Sequence, residues 1–233
     1  MNTPAKTAAP EFDPVWEDIY RAGHANRYPW DAVVSFIYHN RPASRPAGQT
    51  SVLEIGCGTA PNLWFAAREG FRVAGIDASA AAIDAASKRF AADRLQGDLR
   101  VGSFLTLPFS SDSFDLAIDR AALTCVGYSA AQQAVAEVSR VLRKGGKLFC
   151  NVYSDRHASA RAGRRGADGL TIDISGGSLV GVGQICFYDR DQLTALFPDR
   201  AWVVRSLKHV TIEEMLGADA AVHAEWRLIA EKL

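Results

Sequence analysis

The chain has 233 residues, 48% hydrophobic and 22% charged, enough to bury one large core and without the bias of a disordered, collagenous or membrane-spanning protein. Lys plus Arg and Asp plus Glu both total 26, so no global field draws it toward nucleic acid or an anionic membrane, and neither is an expected partner. The four cysteines, Cys57, Cys125, Cys150 and Cys186, lie far apart with no CxxC pair, which reads as free thiols and no metal site rather than a disulfide framework. One domain over residues 1–233 is expected. The N-terminal MNTPAKTAAPEFDP has neither the apolar core of a signal peptide nor the arginine-rich, acid-poor character of a transit peptide, so a cytoplasmic location is expected. Nothing in the sequence sets an oligomeric state.

In chain order, residues 1–10 have the Ala/Pro/Thr composition of a disordered terminus. Residues 11–50 predict an N-terminal helical cap: Val15, Trp16, Ile19 and Tyr20, then Val33, Val34, Phe36 and Ile37, fit two amphipathic helices separated by HANRYPW. NRPASRPAGQT is a connector into the first strand, Val52–Ile55. Gly56 and Gly58 predict a tight turn, Asn62–Glu69 a helix, and Phe71–Ile76 a second strand with Asp77 at its carboxyl end. Ser79 is a candidate cap for the helix SAAAIDAASKRF, Leu99–Phe104 a weaker third strand, and Phe114–Ile118 a fourth, bounded by Asp119. Ala130–Leu142 is helical in period, Lys144-Gly145-Gly146 ends it, and Lys147–Tyr153 is the fifth strand.

Residues 51–153 thus read as a cofactor-binding core: a doubly wound, mostly parallel α/β sheet with helices on both faces. Residues 154–185 form a glycine-rich insertion carrying Arg156, Arg161, Arg164 and Arg165, expected to be mobile or a lid. Over 186–233, FYDRDQLTALF predicts a helix capped at Asp189 or Asp191, and AWVVRSLKHVTI with HAEWRLIAEKL an antiparallel strand pair at one sheet edge.

A nicotinamide loop of the form G-x-G-x-x-G needs glycine at 61, where Pro61 stands. The pattern present, Glu54-x-Gly56-x-Gly58-x-Ala60, resembles motif I of the class I, Rossmann-like S-adenosylmethionine-dependent methyltransferases. Asp77, LPFSSDSFDLAI and LRKGGKLFC resemble the family's following segments in order, over about residues 52–153. The resemblance implies a seven-stranded sheet, S-adenosyl-L-methionine as cofactor and a small-molecule methyl acceptor. It also implies that Gly56, Cys57 and Gly58 bring main chain to the cofactor's amino acid half and that Glu54 orients the loop or that amino group. Asp77, with Ala78 beside it, would accept from the ribose hydroxyls. Where many members carry an acid after the third strand, this chain has Gly102-Ser103, so Ser103 would accept from the adenine amino group, with Phe104 beside the ring, or would only cap a turn.

For catalysis the candidates are Asp119, which would contact cofactor or acceptor, Tyr153, His24 and His157, the two histidines reading more readily as surface residues. Arg120, Arg27, Tyr28 and Trp30 are further candidates for the acceptor side. Two rival readings stay open: an NAD-dependent oxidoreductase, against which Pro61 and the acid before the glycines speak, and a non-catalytic cofactor-binding module.

Overall fold

Alternate residues of each central strand enter opposite cores, which is why these runs are apolar almost throughout. In β1 (Ser51–Ile55), Val52 packs on one face of the sheet while Leu53 and Ile55 pack on the other. In β4 (Phe114–Arg120), Leu116 and Ile118 oppose Ala117 in the same way. The computed structural model describes residues 12–216 and 222–233, so the expectation of disorder over 1–10 lies outside the described residues. No helix among them is long and apolar enough to cross a membrane.

The remaining elements of the parallel half are α1 (Val15–Arg21), α2 (Asp31–Asn40), α3 (Pro61–Arg68), β2 (Arg72–Asp77), α4 (Ala80–Ala92), β3 (Asp98–Val101), α5 (Tyr128–Val141) and β5 (Leu142–Tyr153). A small sheet of β6 (Arg164–Arg165), β7 (Leu170–Ile172) and β8 (Ile185–Cys186) follows, then α6 (Arg190–Ala195), β9 (Trp202–Glu213) and β10 (Val222–Lys232). The main sheet has seven strands in the order β3-β2-β1-β4-β5-β10-β9. The first five are parallel, and β10 runs antiparallel to both β5 and β9. The expected doubly wound sheet with an antiparallel C-terminal pair is therefore observed. Strand order reverses between β1 and β4, and a crevice opens beyond the carboxyl ends of such strands.

Local signals explain several boundaries. Ser79 accepts from the Ala82 amide at 3.0 Å and starts α4. Of the two acids offered for α6, Asp189 is the cap: it accepts from the Gln192 amide while the Gln192 side chain accepts from the Asp189 amide.

Three expectations are corrected. Lys144-Gly145-Gly146 does not end a helix; α5 stops at Val141, and the three residues form an irregularity inside β5, with Gly145 at φ +76°. The two N-terminal helices do not form one cap: α2 buries Val33, Phe36 and Ile37 in the core beneath the sheet, whereas α1 buries no residue fully and lies against α4. The third strand is shorter than read, ending at Val101, because Gly102 turns the chain, donating its amide to the Asp77 carbonyl at 2.9 Å. The 154–185 insertion carries regular structure, the three-stranded sheet and a satellite core of Ile174, Leu179, Ile185 and Phe187.

Candidate functional site

The loop after β1 is built from alternating left-handed residues. Gly56 and Gly58 have φ of +58° and +53°, and Ala60, in the place of a third glycine, has +54°. That conformation is free for glycine and costs alanine about 1 kcal/mol. The loop is pinned from beneath: the Cys57 amide donates to the Ile76 carbonyl at 3.1 Å, and the Gly58 amide donates to Asp77 Oδ2 at 2.7 Å. A methyl group added at Gly58 would stand 2.5 Å from the Tyr20 hydroxyl, so the first helix lies directly over the bare main chain.

Two hollows open here, of about 270 and 80 Å³. The smaller is floored by Glu54, Gly56, Cys57, Gly58 and Asn62. The larger runs from Asp77, Ala78 and Phe104 on the β2–β3 side to Tyr153, Leu179 and Ile185 on the β5 and insertion side. Gly56, Tyr20, His24, Asn26, Trp30 and Arg120 line both.

Glu54 is 2% exposed, with Oε1 accepting from Asn62 Nδ2 at 2.7 Å. Its Oε2 is buried without a hydrogen-bond partner among the described residues. Burial pushes its carboxyl up to about 8, outweighing the Asn62 hydrogen bond, so the side chain is mostly protonated at neutral pH. Asn62 also accepts from the Trp30 amide at 3.0 Å, tying α3, β1 and the connector into α2 together. Asp77 is buried, its Oδ1 accepting from the Ser79 amide at 2.9 Å. Burial raises its carboxyl, against the two main-chain hydrogen bonds. Each oxygen keeps a free lone pair.

The first helix is fastened at both ends of the larger hollow. Glu17 accepts from Ser79 Oγ at 2.5 Å and from the Ala81 amide at 3.3 Å. Asp13 accepts from the Val15 and Gln184 amides, both at 3.1 Å, joining the segment before α1 to the insertion.

Of the residues singled out in the sequence, Glu54, Gly56, Cys57, Gly58, Asp77, Ala78, Phe104, Tyr153, His24, Trp30 and Arg120 line the hollows. Asp119, expected to contact cofactor or acceptor, lies away from the hollows. It is fully buried and lines neither hollow; Oδ1 accepts from the Ala122 and Leu123 amides at 2.9 and 3.0 Å, and Cys150 Sγ donates to Oδ2 at 3.4 Å. Burial pushes its carboxyl up to about 6, and its work is to cap the turn after β4. His157 is neither a surface nor a lining residue: it is 2% exposed, its Nδ1 accepts from the Ser159 amide, and its ring packs on Tyr153 and Phe187. Burial lowers it to about 4, which keeps it neutral. Ser103 Oγ accepts from the Leu105 amide at 3.0 Å, the turn role, and is not among the lining residues. Arg27 and Tyr28 are exposed and line neither hollow.

Sequence reasoning missed Tyr20, Asn62, Glu17 and Asp13. Asn62 stands at the second position of α3 and could have been read from its place behind the glycine loop. The other three carry no local signal, because they reach the site only when α1 folds back over α4.

Comparison with known proteins follows the same geometry. Residues 52–146 match the profile of a family described as a methyltransferase domain. An uncharacterised protein of Haemophilus influenzae is 29% identical over 127 residues, 52% of this chain and 51% of that protein. An uncharacterised methyltransferase of Bacillus subtilis is 29% identical over 104 residues, 45% and 43% of the two chains. The chain thus matches about half the length, or less, of these curated relatives. Among solved structures, a SAM-dependent methyltransferase from Methanosarcina mazei superposes with a TM-score of 0.65 at 21% identity, covering 88% of this chain and 99% of that one. The protein described for conversion of a disulfide bond into a thioacetal group during echinomycin biosynthesis gives 0.69 at 21%, covering 94% and 91%. A [4+2]-cyclase, SpnF, gives 0.64 at 16%, covering 94% and 91%. At these identities the structures share the fold. Residues 52–146 thus match a methyltransferase domain, and the chain shares the sheet order and the fold of these solved structures.

Proposed function

We propose that this protein transfers a methyl group from S-adenosylmethionine to a small organic molecule seated in the larger hollow. The observation that carries the reading is Glu54 Oε2, a carboxyl oxygen buried without a partner among the described residues, beside main chain stripped of side chains at Gly56 and Gly58. Leaving an acceptor unpaired in the interior costs about 1–3 kcal/mol, so the site is completed by a donor, and an ammonium group suits a carboxyl raised by burial.

The cofactor brings a methyl group already made electrophilic by its sulfonium. The chain's part is to bind and align. Glu54 would receive the cofactor's amino group and give up its proton in doing so. Asp77 would use its two remaining lone pairs for the ribose hydroxyls, Ala78 leaves room beside them, and Phe104 offers a flat apolar face to the base. Tyr153, Trp16, Leu179 and Ile185 wall the space left for the acceptor. Alignment of two reactants in a closed site is worth roughly 7–11 kcal/mol, against 10²- to 10⁴-fold from a general base, so positioning dominates. Tyr153 is a poor base because burial raises its phenol further, while the His24 imidazole stands at the exposed rim of the same hollow.

Calorimetric titration with S-adenosylhomocysteine and with NAD tests the assignment: micromolar or tighter binding of the first is expected, and tight binding of NAD alone would reject it. Radiolabelled methyl transfer into a metabolite extract then tests catalysis. A second reading is a module that holds the cofactor without methyl transfer. Cofactor binding with no labelled product would select that reading.

A further inference from the structure

We infer that the methyl acceptor is a small, mostly apolar acid whose anionic oxygen is anchored by Arg120. This inference deepens the methyl-transfer reading and rests on it. The acceptor end of the larger hollow is walled by Trp16, Val126, Leu179 and Ile185, which admit an apolar body and leave few polar groups to fix its orientation. Both carboxylates on the wall already hold main chain: the oxygens of Asp13 accept from the Val15 and Gln184 amides, and those of Asp77 accept from the Gly58 and Ser79 amides and turn their remaining lone pairs to the cofactor's ribose in the reading above.

Arg120 differs. Its guanidinium lies over the Trp30 ring, 3.8 Å from the ring centroid, half-buried and facing the hollow. Among the described residues no carboxylate forms an ion pair with it. The acids that feel its charge do so from further away: Glu54 and Asp119 are raised by burial, and Glu225 is already held by Arg227 at 2.6 Å and His223 at 3.3 Å. The Tyr153 hydroxyl stands beside the guanidinium and accepts from it, and because burial keeps the phenol protonated it is still able to donate onward. A fixed cation stacked on an indole, next to a phenolic donor and enclosed by apolar walls, is a seat for a carboxylate or an acidic phenolate.

The test uses the full chain saturated with S-adenosylhomocysteine and probes of one shape and three charges: phenylacetate, 2-phenylethanol and 2-phenylethylamine, followed by ligand-observed NMR. Phenylacetate is expected to bind at least tenfold more tightly than the alcohol, and the amine more weakly than either. Arg120→Met should erase the preference for phenylacetate, and Arg120→Lys should keep part of it. Equal binding of acid and alcohol, preference for the amine, or no detectable phenylacetate binding to the cofactor-loaded wild type would overturn the inference. So would a loss of S-adenosylhomocysteine affinity in Arg120→Met with the acid preference intact, since the arginine would then serve the cofactor's own carboxylate. Should Arg120→Met fail to fold, the wild-type series still decides. Failure to bind S-adenosylhomocysteine at all is a different result, one that sinks the methyl-transfer reading itself.

Discussion

Replacing Glu54 with glutamine keeps the side chain's size and its hydrogen bond from Asn62, yet removes its proton equilibrium. In the folded chain burial holds this carboxyl at about 8, against an ordinary 4.5. The folded value lies above the unfolded one, so the unfolded chain gives up its proton first. The stability linked to Glu54 is therefore complete below pH 4.5 and is lost as pH rises to about 8. At about 1.4 kcal/mol per unit the loss approaches roughly 5 kcal/mol across the window, and about 3 kcal/mol between pH 5 and 7.5. Glutamine also buries an amide where Oε2 was, a penalty of about 1–3 kcal/mol that does not vary with pH. The slope is thus the diagnostic quantity. Urea denaturation at pH 5 and 7.5 should show Glu54→Gln gaining about 3 kcal/mol on the wild type between the two values. Binding runs the other way. An ammonium placed on Glu54 displaces its proton, so wild-type affinity for S-adenosylhomocysteine should rise from pH 6 to 8, and calorimetry in two buffers of different ionisation enthalpy should detect proton release. The variant should bind more weakly and release none. Parallel stability curves, together with unchanged affinity, would refute the reasoning.

Asp77→Ala should weaken S-adenosylhomocysteine by about 1–3 kcal/mol in calorimetry if the free lone pairs take the ribose hydroxyls; unaltered affinity would remove that role. Asp119→Ala orphans the Ala122 and Leu123 amides and should lower unfolding free energy by roughly 1–3 kcal/mol per donor while cofactor affinity at low temperature stays put. Weaker binding without destabilisation would instead make Asp119 a ligand residue. Glu17→Gln loosens the contact that holds α1 on Ser79 and Ala81, so stopped-flow dissociation of S-adenosylhomocysteine should speed up. An unchanged off-rate would mean that α1 does not close the site.

What could be read from the chain alone was whatever depends on neighbours in sequence. Five apolar runs with capped helices between them dictate a parallel sheet, because each strand must bury both faces and each helix one. The pattern from Glu54 to Ala60, with Asp77 after the next strand, marks the ligand end because its conformational demands are local: left-handed turns, and an acid at a strand terminus. Asp119 looked the same in sequence, an acid ending a strand, and only the fold shows that its carboxylate turns inward to cap main chain. His157 likewise carries no sign of its burial. Lys144-Gly145-Gly146 has the composition of a turn, but pairing with β4 makes it an irregularity within a strand. The pocket itself was settled in three dimensions. Tyr20 over Gly58, Asp13 on Gln184, and Arg120 on Trp30 join residues far apart in the chain, and such contacts follow from how α1, the insertion and the sheet pack rather than from any spacing along the sequence.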